Sequence, residues 1–185
     1  MTITADTASE RTYLPASETL CDPLLLANAG YLDFHYFEQL SQAEGSFVVR
    51  GRKSFDPLIV ATRNGQRKSL PKLVGKSLKE MIRRTNRSEV LDLICRRSGF
   101  EFRLIRRWFA EEKRFCLWLT HLSVEEFTAN DIMDIYRCHW QIELLFKELK
   151  SHTNWQGFAT RKEEMVAGLI WLSLLALLLR RTLAR

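Results

Sequence analysis

The stretch Tyr136-Arg137-Cys138-His139-Trp140-Gln141-Ile142-Glu143-Leu144-Leu145-Phe146-Lys147-Glu148-Leu149-Lys150 decides how the rest of the chain is read. Wound as a helix at about 100° per residue with Tyr136 at zero, it puts His139 at about −60°, Glu143 at about −20° and Lys150 at about −40°. These four side chains share one stripe. Ile135, Cys138, Ile142, Leu145, Phe146 and Leu149 occupy the adjoining flank and are the expected core face. Glu143 then stands at the seam between core and solvent, where a carboxylate is held firmly and still reaches a ligand. Two readings stay open: an ordinary amphipathic helix with a charged outer face, or a row of functional groups facing a ligand.

Working outward, Thr128-Ala129-Asn130-Asp131 supplies capping chemistry for a helix from about Ile132 to Lys150. A loop is expected around Ser151–Thr160. Beyond it, Met165–Leu179 is apolar except for Gly168 and Ser173. A helix of that length reaches about 22 Å, against a hydrocarbon core of about 30 Å, so a buried core helix is expected rather than a membrane span. Arg180 and Arg181 follow at its C-terminal end, where cations complement the helix dipole.

Toward the N-terminus, the apolar run Leu24-Leu25-Leu26-Ala27 is bounded by Pro23 and Gly30 and predicts a buried strand ending near Asn28. Asp33 is placed to cap a helix over Phe34–Ala43, which Gly45 ends, and Ser46–Arg50 is a second strand. Strand, helix, strand with short connections is an α/β pattern with parallel strands. From Gly51 to Arg114 short β-like runs recur: Leu58–Thr62, Val90–Arg96, Phe100–Trp108 and, just beyond, Phe115–Leu119. Turn chemistry such as Arg63-Asn64-Gly65 separates them. Within Phe100–Arg106 apolar and charged residues alternate, the period of a strand with one face in water. The expected organisation is a disordered lead-in over 1–19, a strand-helix-strand core piece over 20–50, a basic antiparallel β insertion over 51–122, and a helical part over 123–185.

The formal net charge is +6, and it is unevenly spread. Residues 1–49 carry a net of −6, residues 50–114 a net of +12, and residues 115–185 a net of zero. A concentrated basic block suits a polyanion, because neutralised phosphates release condensed counterions. Cys21, Cys95, Cys116 and Cys138 form no C-x-x-C pair, which argues against zinc and for reduced thiols. The first residues lack a cationic start followed by an apolar core, so no secretory signal is read and the cytoplasm is expected.

The Tyr136–Lys150 segment resembles the signature of bacterial insertion-sequence transposases of the DDE type, in the group marked by Tyr, Arg, Glu and Lys. Their pattern is Y-x2-R-x3-E-x6-K, often within a W-Q-I-E run. Tyr136, Glu143 and Lys150 match at those spacings, and Trp140-Gln141-Ile142-Glu143 is intact. Leu24–Tyr31 is similar to the strand and turn that bear the family's second catalytic Asp, and Phe115–Phe127 to the strand and acidic loop before the signature helix. The resemblance covers about residues 20–182 and implies a partial RNase H-like fold. It also implies DNA cleavage and strand transfer at two Mg²⁺ (or Mn²⁺) ions held by three carboxylates. It makes Glu143 the third carboxylate and metal ligand, and gives Lys150 and Tyr136 DNA contacts.

Three departures accompany the match. Asn28 stands where the second Asp belongs, and an amide brings no negative charge to a cation. His139 replaces the signature Arg and lacks its planar fork. The first Asp of such a fold lies on a strand upstream of the segment that opens this chain. Asp22 reads as a turn residue and Asp33 as a cap, so neither is expected to substitute. The expectation is therefore a truncated, inactive transposase copy, with DNA, a second copy or a full-length transposase as partners. The alternatives are a catalytically dead DNA-binding or transposase-interacting remnant and, third, a membrane-associated protein using Met165–Leu179. The unpaired edge expected beside Leu24–Ala27 further implies a marginal or partner-completed fold.

Overall fold

The computed structural model describes residues 14–20, 23–52, 54–64, 71–82, 89–152 and 162–183. Its strands are β1 (Leu24–Ala27), β2 (Ser46–Arg50), β3 (Leu58–Asn64), β4 (Leu91–Arg97), β5 (Phe100–Phe109) and β6 (Arg114–Thr120). Its α-helices are α1 (Phe34–Gln42), α2 (Leu78–Ile82), α3 (Ala129–His152) and α4 (Glu163–Leu183). The chain divides into two compact units, one running from Ser9 to Arg137 and the other containing Cys138–Arg185.

In the first unit all six strands form one mixed sheet in the order β1-β2-β6-β5-β4-β3. β1 and β2 are parallel, with Leu24 opposite Ser46 and Ala27 opposite Val49, as the strand-helix-strand pattern predicts. The other neighbours are antiparallel. β6, the last strand of the expected insertion, lies directly beside β2, so the stretch 51–122 continues the same sheet. The β4–β5 hairpin turns on Ser98 and Gly99, both with positive φ (52° and 90°), the backbone that matches strand twist in a two-residue turn. Gly45 is required by a close approach: a Cβ there would lie 2.7 Å from the Leu20 carbonyl. Of the expected disordered lead-in, 1–13 lie outside the described residues, while Ser17–Leu20 form a 3-10 turn. Cys21 and Asp22 also lie outside them, as does most of the expected loop at 151–160.

Side chains on a strand alternate between faces, so one sheet feeds two cores. Leu117 and Leu119 of β6 enter a cluster with Phe37, Leu40, Phe47, Leu78 and Met81, which brings in α1 and α2. Cys116 and Trp118, one residue out of step, enter a second cluster with Val48, Ile105, Ala129, Ile132 and Met133, which brings in the start of α3.

β5 corrects the sequence reading. Its charged residues are expected to turn to water, yet Arg103 and Arg106 are buried, leaving Glu101 and Arg107 outside. The strand sits between β4 and β6 with both faces covered, and each buried guanidinium has found company. Arg103 makes a two-point ion pair with Asp92 (2.9 and 2.7 Å) and donates through Nη1 to the carbonyls of Leu122 and Ser123 (3.2 and 3.1 Å). Arg106 lies over the Phe115 ring at 4.2 Å, and burial pulls its pKa down to about 10 against the opposing charge of Glu89. Arg103, paired inside the sheet, alternates with its neighbours just as a charge facing solvent would.

α4 is a second correction. Expected as a buried core helix, it buries Ile170 and Leu177, while Met165, Leu169, Trp171, Leu172, Leu175, Leu178 and Leu179 are exposed. A helix apolar around most of its girth needs cover on several sides, and burial here reaches positions seven residues apart on a single side. No helix among the described residues is long and apolar enough to cross a membrane.

Candidate functional site

The signature segment lies within α3, whose start is fixed by a reciprocal capping box. The Thr128 N–H and Oγ1–H both donate to Asp131 Oδ2 (2.7 Å each), and the Asp131 N–H donates to Thr128 Oγ1 at 3.2 Å. Those hydrogen bonds hold the Asp131 carboxyl below its ordinary pKa. The Arg103 tether on the Leu122 and Ser123 carbonyls fixes the approach to this cap, since both precede it by a few residues.

Tyr136, His139 and Glu143 are all half-buried and follow one another along the helix. His139 Nε2 stands 3.8 Å from Glu143 Oε1, one turn away. Lys150 lies on the same helix, two turns beyond Glu143. The expected core face beyond Tyr136 is a further correction: Cys138 and Ile142 are exposed and Leu145 half-buried. Burial along α3 is concentrated in its first turns, where the sheet lies against it.

Sequence reading missed Arg50. It ends β2, and its guanidinium lies over the rings of Trp118 (5.2 Å) and Tyr136 (5.9 Å) while Nη2 approaches Cys116 Sγ at 2.7 Å. Trp118 and Tyr136 meet edge to face with centroids 6.3 Å apart. The first signature residue is thus held in a stack with a cation from one strand and an indole from the next. Ser46–Arg50 alone carries no sign of this, because the pairing of β2 with β6 creates it.

Asn28 follows β1 and caps a 3-10 turn over Ala29–Tyr31, its Oδ1 accepting the Gly30 N–H at 2.7 Å. Asp33 caps α1 through His35 and Tyr36, as its position predicts. Arg52 closes over the Asn28 turn, Nε donating to Ala29 O (2.7 Å) and Nη2 to Gly30 O (3.0 Å). Asn28 and Tyr136 belong to the first unit, whereas His139, Glu143 and Lys150 belong to the second.

A mixed α/β sheet domain thus leads into a helix that carries Tyr136, Glu143 and Lys150 at the quoted intervals. The sequence model described as the transposase DDE domain matches residues 1–179, so the chain belongs to that family. It is 36% identical over 81 residues to the transposase for insertion sequence element IS421 of Escherichia coli. The same identity and length relate it to InsL of insertion sequence element IS186A in Escherichia coli strain K12. Each match covers 44% of this chain and 21% of the relative, so the matched stretch spans about a fifth of those proteins.

The family depends on divalent metal ions. Asn28 offers a neutral amide whose oxygen is already engaged by Gly30, and Glu143 faces His139. No three His, Cys, Asp or Glu side chains cluster as a metal site among the described residues.

Proposed function

We propose that this chain is a DDE transposase domain that holds DNA in the manner of its family and does not cleave it. The supporting observation is the half-buried row Tyr136, His139 and Glu143 on α3, at the intervals the family uses for a phosphate or base contact and a carboxylate. In this reading the sheet is the later part of an RNase H-like fold, with β1-α1-β2 as its parallel portion. Tyr136, steadied by Arg50 and Trp118, touches the strand near its cut site. His139 takes the place of the signature Arg and Lys150 adds a point charge for phosphate. Glu143 is the one carboxylate of this set available to Mg²⁺ or Mn²⁺. Asn28, at the second acidic position, carries no charge to share the work of holding two cations. Partners are DNA and, through it, another transposase chain.

Incubating the chain with supercoiled DNA and Mg²⁺ or Mn²⁺ tests this. Salt-sensitive retention of DNA without nicking is expected, and a Glu143→Gln variant should retain DNA equally. Nicking by the wild-type chain that disappears in Glu143→Gln would overturn the inactive reading. Failure to retain DNA at low salt would overturn the DNA reading itself.

A further inference from the structure

Arg97 ends β4, outside the row on α3. Its guanidinium lies over two rings, Phe34 at 4.8 Å and Phe55 at 5.4 Å, and these stack on each other with centroids 5.0 Å apart and planes 21° off parallel. Phe34 begins α1, and Phe55, buried, follows β2, so the platform is built by the fold. A guanidinium lying over aromatic rings is attracted to them, and being restrained in this way it has less entropy to lose when its N–H donors bind. Among the described residues these donors have no hydrogen-bond or ion-pair partner.

Arg97 shares a cavity of about 300 Å³ with Arg52 and Ser54. Arg52 uses Nε and one Nη2 hydrogen on the Ala29 and Gly30 carbonyls, which fixes its guanidinium beside the Asn28 turn. Its remaining N–H groups have no partner among the described residues. The one carboxylate on the wall, Asp33, accepts the His35 and Tyr36 N–H groups as the cap of α1. Two guanidinium groups against one engaged carboxylate, with Ser54 on the same wall, make a seat for a tetrahedral oxyanion.

We infer that the Arg52–Ser54–Arg97 cavity seats a backbone phosphate of the DNA strand that passes the Asn28 turn. The inference rests on the DNA-binding reading above and adds to it a contact site built from the sheet rather than from α3. The phosphate accepts from Arg97 and from Arg52, and the aromatic platform restrains Arg97 for that contact.

The test uses the whole chain and a fluorescent DNA duplex, with anisotropy read across a salt series. Arg97 and Arg52 are exposed, and a thermal melt of Arg97→Gln checks that the core around Phe55 is kept. Arg97→Gln is expected to weaken binding several-fold and to lower the slope of log K against log salt by about 1, the signature of one lost phosphate contact. Arg97→Lys should restore the slope with only part of the affinity. In parallel, the side-chain Nε–H resonance of Arg97 should move on adding duplex. If the wild type binds DNA but Arg97→Gln keeps the full slope, the seat is wrong and the DNA reading survives. A lowered slope with an unmoved Arg97 resonance also overturns it, since charge at a distance then explains the loss. If the resonance moves with inorganic phosphate at constant ionic strength while the duplex does not bind, the cavity is a free-anion site. The seat then falls together with the reading beneath it.

Discussion

α3 is one unbroken helix with two surroundings. Over its first turns Ala129, Ile132 and Met133 are buried beside Val48, Ile105 and Trp118 of the sheet. Past Tyr136 apolar residues continue on more than one side of the helix, yet Trp140, Ile142 and Leu144 are exposed at 57%, 49% and 42%. Apolar character therefore offers a side chain for burial, and where the neighbouring strands lie determines which of them is used. Tyr136 stands at the change, braced from the sheet side by Arg50 and Trp118.

The contrast is most sharply broken at its support. Removing one partner of a buried ion pair leaves an uncompensated charge, so Asp92→Ala should lower unfolding stability by about 4 kcal/mol. It should also loosen the Leu122–Ser123 tether ahead of α3. Urea denaturation measures the first effect and amide exchange at Ser123–Phe127 the second; unchanged exchange there would show that α3 is launched by its cap alone. Ile132→Ala, in the packed half, should cost about 3 kcal/mol, a fully buried large-to-small change.

The two halves were unequally legible before folding. Pro23 and Gly30 bracketed β1, and Thr128 with Asp131 announced the start of α3, because caps and breakers act through their own backbone neighbours. The intervals from Tyr136 to Lys150 were equally visible, since they lie on one continuous helix. What stayed hidden depends on contacts between distant segments. Arg103 looked solvent-facing beside Glu101 because a period of two reports alternation and not what covers each face, and Arg106, on the opposite face, is buried as well. Arg50 looked like the end of a strand because its aromatic partners are supplied by β6 and α3. The exposure of Ile142 was hidden for the same reason.

A smaller effect sharpens the comparison through pH. His121, just past β6, stacks on Phe47 at 5.1 Å, and burial lowers its pKa below 6.5. Its unfolded form binds protons more readily, so stability should be complete above pH of about 6.5 and decline as the unfolded state begins to take up protons. The decline should level off below the folded pKa. His121→Gln should flatten this segment of the stability profile, as followed by thermal melts between pH 5 and 8 in steps of about half a unit. If the slope persists, another group is responsible. The smallest effect is expected in the exposed half of α3: Ile142→Ala should change stability by no more than about 0.5 kcal/mol. A loss near that of Ile132→Ala would mean that solution packing covers this flank.

β6 contributes alternate side chains to both hydrophobic clusters, and Thr120 at its end donates to the Phe47 carbonyl at 2.6 Å. A strand shared in this way leaves neither layer free to melt by itself, because loosening one withdraws the wall of the other. The sheet unit should accordingly open as one cooperative block, with amides on either side of β6 exchanging at a common, slow rate.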